Sequence, residues 1–393
     1  MSWPVIKFSE AISRSGLFSD GDWVESKDQD PEGDVRLIQL ADIGVGEFID
    51  KSNRFMTSKK ADELRCSYLK AGDILVARMP DPIGRACIFP EDMGRCVTVV
   101  DICIVRPASE RIDNRWLMHL INSERFRNQI DRHVTGTTRQ RISRGNLAGL
   151  EIPLPPLPEQ KRIAAILDKA DAIRRKRQQA IQLADDFLRT VFLDMFGDPV
   201  TNPKGWPVDK FGNVFDVRDG THDSPSYVES GFPLITSKNI KNGEIDMSDV
   251  NYISKEDYEL INRRSKVDVG DILMPMIGTI GNPAVVHDEP LFAIKNVALI
   301  KLGKSCLPAG FVLALLNGPL LEVAVQQKSR GGTQKFLGLG DIRDLNCYLP
   351  DERLVSKYIG IANNVRQFAS AYRKADEAGL DSSLSQKAFS GQL

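Results

Sequence analysis

Residues 153–196 read PLPPLPEQKRIAAILDKADAIRRKRQQAIQLADDFLRTVFLDMF, and this stretch decides how the rest of the chain is organised. After the proline-rich start, the residues from Glu159 to Phe196 include neither Pro nor Gly and favour helix. Pro158 suits a first helical turn because its missing N–H would be unsatisfied there anyway. The Gly-Asp-Pro that follows the stretch supplies a stop. The pattern predicts one long helix within residues 156–197.

Apolar side chains recur along this helix with the spacing of a coiled coil. At 1.5 Å per residue the helix would be roughly 55–60 Å long. A second stretch, residues 352–389, carries a similar apolar stripe although Gly360 and Gly379 interrupt it. We expect the two helices to pack against each other in antiparallel orientation; an amphipathic helix that packs only on its own domain is the alternative. The residues predicted at this interface are Ile163, Leu167, Ala170, Ile181, Leu188, Val191, Ile359, Val365 and Leu384.

The chain of 393 residues is long enough for two or three domains, and it repeats itself with a period near 196 residues. Gly72-Asp-Ile-Leu75 recurs as Gly270-Asp-Ile-Leu273, and further matches follow in the same order at nearly the same offset. The period is far longer than the units of about 20–50 residues in solenoid proteins, so it indicates a tandem duplication of a whole domain with its helix. The predicted limits are 1–155 and 205–350 for the globular domains and 156–197 and 351–393 for the helices.

Each globular domain has short β-type runs separated by Gly, Pro, Asn and Asp, with short helical segments between them. The clearest predicted strands are Val97–Val105 and Phe292–Ile300. This mixture predicts an α+β fold, with two tandem domains separated by two long helices packed as an antiparallel coiled coil.

Composition excludes several classes of protein. Lys and Arg number 52 against 53 Asp and Glu, so the chain lacks the bulk basicity of a histone-like protein. No apolar stretch approaches the roughly 18 residues that span a bilayer, and the N-terminus does not resemble a secretory signal, which leads us to expect a cytoplasmic protein. The six cysteines form no Cys-x-x-Cys pair, so we expect reduced thiols and no zinc site.

Sequence motifs for catalysis are absent or incomplete. Residues 298–305 resemble a phosphate-binding loop only loosely, because Ala298 replaces the first glycine and the segment reads as a strand. Residues 224–227 are one proline short of the tetrapeptide of amino-methyltransferases, and no Gly-rich cofactor loop precedes them. No catalytic pattern recurs in both halves. The duplicated chain is therefore predicted to recognise a ligand and to have no catalytic residues.

One segment is strongly basic inside this neutral chain. Between Arg111 and Arg144 there are eight arginines against three acidic residues. Such a patch suits phosphate neutralisation, and Arg and Gln side chains can also bond to guanine and adenine edges. The second half offers a related segment at the equivalent place, although a solvated polar loop is the alternative for both. The predicted DNA-binding residues are Thr137, Thr138, Arg139, Gln140 and Arg141 in this segment; Arg330, Thr333, Gln334 and Lys335 in its counterpart; and Gln39, Arg78, Arg85, His222, Ser237, Lys238 and Asn239 in other loops.

The order of these motifs resembles a known family. Leu154-Pro-Pro-Leu-Pro-Glu-Gln160, the Gly-Asp-Ile-Leu repeats, the junction at residues 196–207 and the ending Ser385-Gln-Lys-Ala-Phe-Ser-Gly391 are together similar to the specificity (S) subunit of type I restriction–modification systems. The resemblance covers almost the whole chain. The second half departs from it at Gln334, where the first half has Thr138.

The resemblance implies a division of labour among subunits. Each half would be a target recognition domain that reads one part of a bipartite, asymmetric DNA site, in a pseudo-twofold arrangement. The long helices would set the spacer and dock two modification subunits, which would bring S-adenosylmethionine for adenine methylation. Two restriction subunits would add cleavage that depends on ATP and Mg²⁺. The chain itself would bind double-stranded DNA without a cofactor or a metal.

A function of another class stays open from the residues alone. The chain could be a coiled-coil assembly scaffold that touches DNA only nonspecifically. Competition by unrelated DNA distinguishes the two, because a sequence reader prefers its own site by several kcal/mol.

Overall fold

The structure is a computed structural model that describes residues 3–12, 16–107, 111–241, 243–277, 280–303, 305–328, 336–377 and 380–393. The chain divides into two compact units, Met1–Gln178 with Arg373–Leu393, and Gln179–Tyr372. Strands and helices alternate in both units, which confirms the predicted α+β class. The predicted domain limits stay predictions.

The first unit contains two β-sheets and a pair of short strands. One sheet has the order β2-β8-β5-β6, the other the order β4-β3-β7, and β1 pairs with β9. The elements are β1 (Val5–Lys7), α1 (Phe8–Ala11), β2 (Leu17–Asp20), β3 (Val35–Ile38), β4 (Phe55–Met56), α2 (Ser58–Glu63), β5 (Ile74–Ala77), β6 (Ala86–Ile88), β7 (Cys96–Thr98), β8 (Ile102–Arg106), α3 (Asn114–Asn122), α4 (Glu124–Asp131), α5 (Arg144–Gly149) and β9 (Glu151–Pro153).

Local sequence accounts for these elements. All four residues of β5 are buried, as expected for a central strand that is covered on both faces. Helices α3, α4 and α5 begin after Asp113, Ser123 and Ser143, whose side chains accept hydrogen bonds from amides of the first turn. Trp116 of α3 is fully buried in the main core of the unit.

The long helix predicted from the sequence is α6 (Leu157–Phe196), 40 residues long. It ends at Gly197, which has φ +81° and donates its amide hydrogen to the carbonyl of Leu193 at 2.8 Å, a left-handed cap that suits glycine. None of the ten seam positions expected from the four-and-three spacing is exposed: they are 163, 167, 170, 174, 177, 181, 184, 188, 191 and 195. The predicted seam positions therefore lie on the less exposed face of this helix, and their pairing in a coiled coil stays a prediction.

The second unit repeats the four-stranded sheet β2-β8-β5-β6 and the short strand pair of the first. The sheet order β11-β20-β17-β18 reproduces β2-β8-β5-β6, and β10-β21 reproduces β1-β9. The elements are β10 (Val208–Lys210), α7 (Phe211–Val214), β11 (Asp216–Asp219), β12 (Tyr227–Val228), β13 (Phe232–Ile235), β14 (Ile240–Lys241), β15 (Glu244–Ile245), β16 (Asn251–Ile253), α8 (Lys255–Ser265), β17 (Ile272–Pro275), β18 (Ala284–Val285), β19 (Ala293–Ile294), β20 (Val297–Lys301), α9 (Ala309–Leu316), α10 (Pro319–Lys328), α11 (Leu339–Arg343) and β21 (Asn346–Tyr348).

The two clearest strands of the sequence were predicted wrongly as single strands. Val97–Val105 contains β7 and β8, and Phe292–Ile300 contains β19 and β20, in each case two strands of different sheets. A turn separates them, and in the second half Asn296 occupies it with φ +55°. Asn tolerates this left-handed conformation better than most residues, so an apolar run can change sheets there.

The C-terminal helices are α12 (Glu352–Glu377) and α13 (Leu380–Ser390). Helix α12 continues through Gly360, which was expected to interrupt it, and Gly379 lies outside the described residues. In the first unit, Ile163 and Leu167 of α6 share a core with Leu384 of α13. The start of α6 thus packs with the end of the chain.

The end of α6 packs with the start of α12 in the second unit. Phe192 and Phe196 contact the ring of Tyr358, each with ring centroids 5.6 Å apart. When two helices run antiparallel, the start of each is expected to pack with the end of the other. The predicted interface residues Leu188, Val191, Ile359 and Val365 belong to or border this core, whereas Ala170 and Ile181 are half-buried.

Within the described residues, no single helix is long and apolar enough to cross a membrane. Only a bent pair, residues 309–316 and 319–327, meets the length and composition requirement, with a 45° bend between the two helices. Phe311, Leu315 and Leu321 of this pair lie in the hydrophobic core of the second unit.

Candidate nucleic-acid interface

The candidate interface of the first unit lies at one edge of the sheet β2-β8-β5-β6. Strands β2 and β5 both run antiparallel to β8, so their carboxyl ends meet at the same edge. Asp20 is paired with Cys103, and Ala77 with the neighbouring Ile102. The segments that follow β2 and β5 are therefore brought together by the sheet.

Arg78 follows β5 and holds this edge together. Its guanidinium Nε lies 3.3 Å from the Asp20 carboxylate, and Nη1 donates to the carbonyl of Ile142 at 3.4 Å. The amide of Ile142 in turn donates to the carbonyl of Arg78 at 3.1 Å. Arg144 Nε approaches the other oxygen of Asp20 at 4.0 Å. Arg78 is 6% exposed, so this residue, which the sequence predicted to bind DNA, has a structural role.

The exposed part of this edge is a closed hairpin over residues 135–141, which we call the basic hairpin. The amides of Thr135 and Arg141 donate to each other's carbonyls, both at 2.9 Å. Gly136 has φ +95°, and a Cβ there would lie 2.4 Å from the carbonyl oxygen of Arg139, so only glycine fits this turn. The five predicted DNA-binding residues of the hairpin are all exposed: Thr137, Thr138, Arg139, Gln140 and Arg141.

Arg85 is a second predicted DNA-binding residue that the structure uses internally. Its guanidinium donates to the carbonyls of Ile43 at 2.7 Å, Leu40 at 2.9 Å, Met79 at 3.0 Å and Pro82 at 3.1 Å. Burial lowers the pKa of Arg85 from its usual value, but these carbonyls are good acceptors for a cation. Arg85 thus fastens residues 40–43 to the loop between β5 and β6.

Gln39 lies beside that fastened segment. Gln39 is half-buried, and its backbone amide donates to Asp42 Oδ2 at 2.7 Å. Burial would raise the pKa of Asp42, yet hydrogen bonds from Gln39, Ser52 and Lys51 hold it below the usual value. The carboxylate of Asp42 therefore organises this turn from within.

The second unit builds the same edge. The amide of Leu337 donates to the carbonyl of Met276 at 3.0 Å, which reproduces the bond from Ile142 to Arg78, and Phe336 pairs with Ile277. The segment that corresponds to the basic hairpin in the sequence repeat precedes Phe336. Its predicted DNA-binding residues lie outside the described residues: Arg330, Thr333, Gln334 and Lys335.

His222 lies in the loop that follows β11. Its Nε2 is 2.8 Å from Asp219 Oδ2 and its Nδ1 is 2.8 Å from Asn296 Oδ1. Both partners are oxygen acceptors, so the ring satisfies both only when both nitrogens carry protons. The hydrogen bond to Asn296, and next that to Asp219, raises the pKa of His222, while partial burial and the positive charge of Arg264 oppose this. Arg264 also contacts the Asp219 carboxylate.

The remaining candidates form a short turn after β13. Asn239 is 2% exposed, and its side-chain amide donates to the carbonyls of Asp246 and Asp249 at 3.2 and 2.8 Å. Asn239 therefore has a structural role. Ser237 is half-buried, and Lys238 is exposed with its ammonium 3.0 Å from Asp249 Oδ2.

Metal-ligating groups and cysteine thiols are the remaining chemical features of the described residues. No group of three or more His, Cys, Asp and Glu side chains among the described residues could hold a metal ion. All six cysteines are free thiols, and Cys306 is exposed. Burial raises the pKa of Cys66, Cys87 and Cys347 to about 12, so these thiols stay protonated at neutral pH.

Comparisons with known proteins fit this architecture. Residues 21–183 match the family described as "Type I restriction modification DNA specificity domain". The Type I restriction enzyme EcoBI specificity subunit of Escherichia coli is 24% identical in an alignment 328 positions long that covers 74% of this chain and 68% of that protein.

Residues 21–183 thus carry a type I restriction–modification DNA specificity domain, and the chain as a whole is similar to type I specificity subunits.

Solved structures share the fold. The type I restriction–modification S subunit from M. genitalium aligns with 99% of this chain and 96% of its own, with TM-score 0.56 and 16% identity. A chain from a structure titled for complex assembly and conformational transition of the type I R-M system covers 100% of this chain and 98% of its own, with TM-score 0.53 and 18% identity. The mixed helix and strand architecture with long helices is therefore shared with these solved structures.

Sequence reasoning missed the segment Asp20–Trp23 in the first half. Asp20 contacts both Arg78 and Arg144, and Trp23, three residues after Asp20, is 71% exposed. The signal was available in the repeat: Asp20-Gly21 aligns with Asp219-Gly220, and Trp23 with His222. His222 was singled out, but its counterpart in the first half was not.

Proposed function

We propose that this chain is the DNA sequence-recognition subunit of a type I restriction–modification complex, in which each half reads one part of a bipartite, asymmetric site. The observation that carries the proposal is the duplicated sheet edge. In each half, one backbone hydrogen bond, donated by Ile142 or Leu337, ties the segment that follows the candidate loop to the residue just after a central strand. A rigid edge with an exposed loop is the usual way to present side chains to a ligand.

The chemistry of the basic hairpin suits duplex DNA. Arg139 and Arg141 are exposed cations, and Thr137 and Thr138 add hydroxyl groups that can donate to phosphate oxygens. Gln140 can bond to an adenine edge, and either arginine to guanine. We expect other predicted residues to add contacts with DNA in their own halves. They are Gln39 in the first half and His222, Ser237, Lys238, Arg330, Thr333, Gln334 and Lys335 in the second.

The chain would leave catalysis to partner subunits. In this proposal it binds two modification subunits, which carry S-adenosylmethionine, and two restriction subunits, which use ATP and Mg²⁺. The long helices α6 and α12 would dock the modification subunits and act as a ruler for the spacer between the two parts of the site.

Methylation sequencing tests the proposal directly. The full chain is co-expressed with the modification subunit of its own system in a host that lacks DNA methylation, and methyladenine is located by single-molecule sequencing. A single split motif with a fixed spacer is the expected result. An intact complex that methylates no motif would support the scaffold function and overturn this one.

A further inference from the structure

Trp23 is the most exposed of the large apolar side chains that the structure describes. Its ring is 71% exposed, and its Nε1 donates to Glu25 Oε1 at 3.4 Å. The Glu25 carboxylate is also 2.6 Å from the ammonium of Lys27. The one polar atom of the indole thus has a partner, and the apolar faces of the ring are left to solvent.

The backbone beneath Trp23 is fixed. The amide of Gly21 donates to the carbonyl of Ile102 at 2.8 Å, and that of Asp22 to Thr98 at 2.7 Å. Asp22 Oδ2 accepts a further hydrogen bond from the amide of Ser67 at 2.9 Å. A Cβ on Gly21 would lie 2.3 Å from the carbonyl oxygen of Val99, so the chain can pass there only as glycine. The exposed ring therefore stands on a rigid support.

The second half builds the same support under His222. The amide of Gly220 donates to Val297 at 3.0 Å and that of Thr221 to Ile294 at 3.0 Å. A Cβ on Gly220 would lie 2.2 Å from the carbonyl oxygen of Ile294. Scattered exposed apolar residues are common on protein surfaces. An exposed ring that recurs on the same support in both halves points to a shared use.

Trp23 and the basic hairpin belong to the same sheet edge. Asp20, three residues before Trp23, contacts the guanidinium of Arg78, and the carbonyl of Arg78 accepts the hydrogen bond from Ile142 at the base of the hairpin. Arg144, just beyond the hairpin, approaches Asp20 as well. The hairpin and a flat, uncharged ring thus extend from the same end of this sheet.

We infer that Trp23 is a specificity-determining residue of the first half, and that its indole stacks on a base of the DNA that this half reads. The inference rests on the proposed function. An indole carries no charge to neutralise a phosphate, whereas aromatic rings stack on bases or wedge between base steps. Trp23 would therefore strengthen binding at sequences whose bases can unstack to accept the ring, while the arginines bind the phosphate backbone.

The test uses the complex with the modification subunit and two duplexes, one with the motif found by methylation sequencing and one unrelated. Trp23→Ala is expected to weaken binding to the motif duplex about tenfold and to change binding to the unrelated duplex less than about twofold. Trp23→Phe keeps a ring and should lie between the two. Val5→Ala, an exposed apolar residue on the separate β1-β9 pair, is the control and should bind like the unchanged chain.

Fluorescence gives a readout that a purely structural role would not move. The chain has four tryptophans, so quenching is compared between the unchanged complex and Trp23→Phe. Emission that DNA binding quenches only in the unchanged complex comes from Trp23. Quenching by the motif duplex supports the inference. Unchanged affinity in Trp23→Ala together with no Trp23 quenching overturns it and leaves the proposed function standing. Absence of any preferred duplex for the unchanged complex overturns both.

Discussion

The amide of Ile142 donates to the carbonyl of Arg78 at 3.1 Å, and Leu337 repeats this bond to Met276 at 3.0 Å in the second unit. One bond thus joins a central strand of a sheet to the loop that carries the candidate reading residues. Arg78 and Met276 have different side chains, so the equivalence lies in the backbone. A duplicated scaffold can keep this anchor while the loop sequences diverge, and two such loops can read different bases.

The exposed arginines of the basic hairpin should contribute to DNA affinity. Arg139→Ala or Arg141→Ala is expected to weaken binding and to reduce the slope of log affinity against log salt by roughly one for each phosphate that the variant no longer neutralises. Binding is measured over a range of salt concentrations. Lys161→Ala, which removes an exposed cation from α6, is the matched control and should keep the slope. An unchanged slope in both arginine variants would remove them from the interface.

Arg85 should matter for stability. Replacing it with Met removes a guanidinium that serves four carbonyl groups, and leaving buried acceptors unsatisfied is expected to cost about 3 kcal/mol. Urea unfolding measures this change in the free energy of unfolding. Arg95→Ala is the control, since its ion pair with Asp34 is exposed and 3.8 Å long, and it should cost less than about 1 kcal/mol. Full stability of Arg85→Met without DNA binding would instead support a direct contact with DNA.

His222 should make the second half sensitive to pH. Its pKa is raised in the folded chain by Asn296 and Asp219, so the protonated ring is favoured there. Its stabilising contribution is complete below the unfolded pKa of about 6.5 and is lost as pH rises through the higher folded value. NMR titration of the ring should give a pKa above the usual value, and Asp219→Asn should lower it. A His222 pKa that is the same in both chains would contradict this account.

The ruler role of α6 predicts a change in spacer length. Deletion of residues 172–178, one heptad, keeps the seam in register and shortens the helix by roughly 10 Å. At 3.4 Å per base pair, we expect a spacer shorter by about three base pairs, or loss of assembly with the modification subunit. Methylation sequencing measures the spacer. Full methylation at the original spacer would exclude the ruler.

The sequence predicted the large features because they depend on local and periodic signals. The uninterrupted helix formers of 159–196, the glycine stop at 197 and the four-and-three spacing do not need tertiary information. The repeat likewise needs only comparison of the chain with itself. Sequence reasoning failed where one apolar run contributes to two sheets. Val97–Val105 is almost continuously apolar and reads as a single strand, yet the chain turns between β7 and β8.

The individual reading residues could not be chosen from the sequence, because an arginine looks the same whether its guanidinium faces solvent or carbonyl groups. Arg78 and Arg85 are buried in bonds within the chain, while Arg139 and Arg141 are exposed. The amino-acid sequence by itself determined the duplication, the fold class and the long helix, since each follows from spacing along one chain. Only the tertiary structure decided which polar side chains are free for a ligand, because burial and hydrogen bonding depend on segments that are 40 or more residues apart, as Arg85 and Ile43 are.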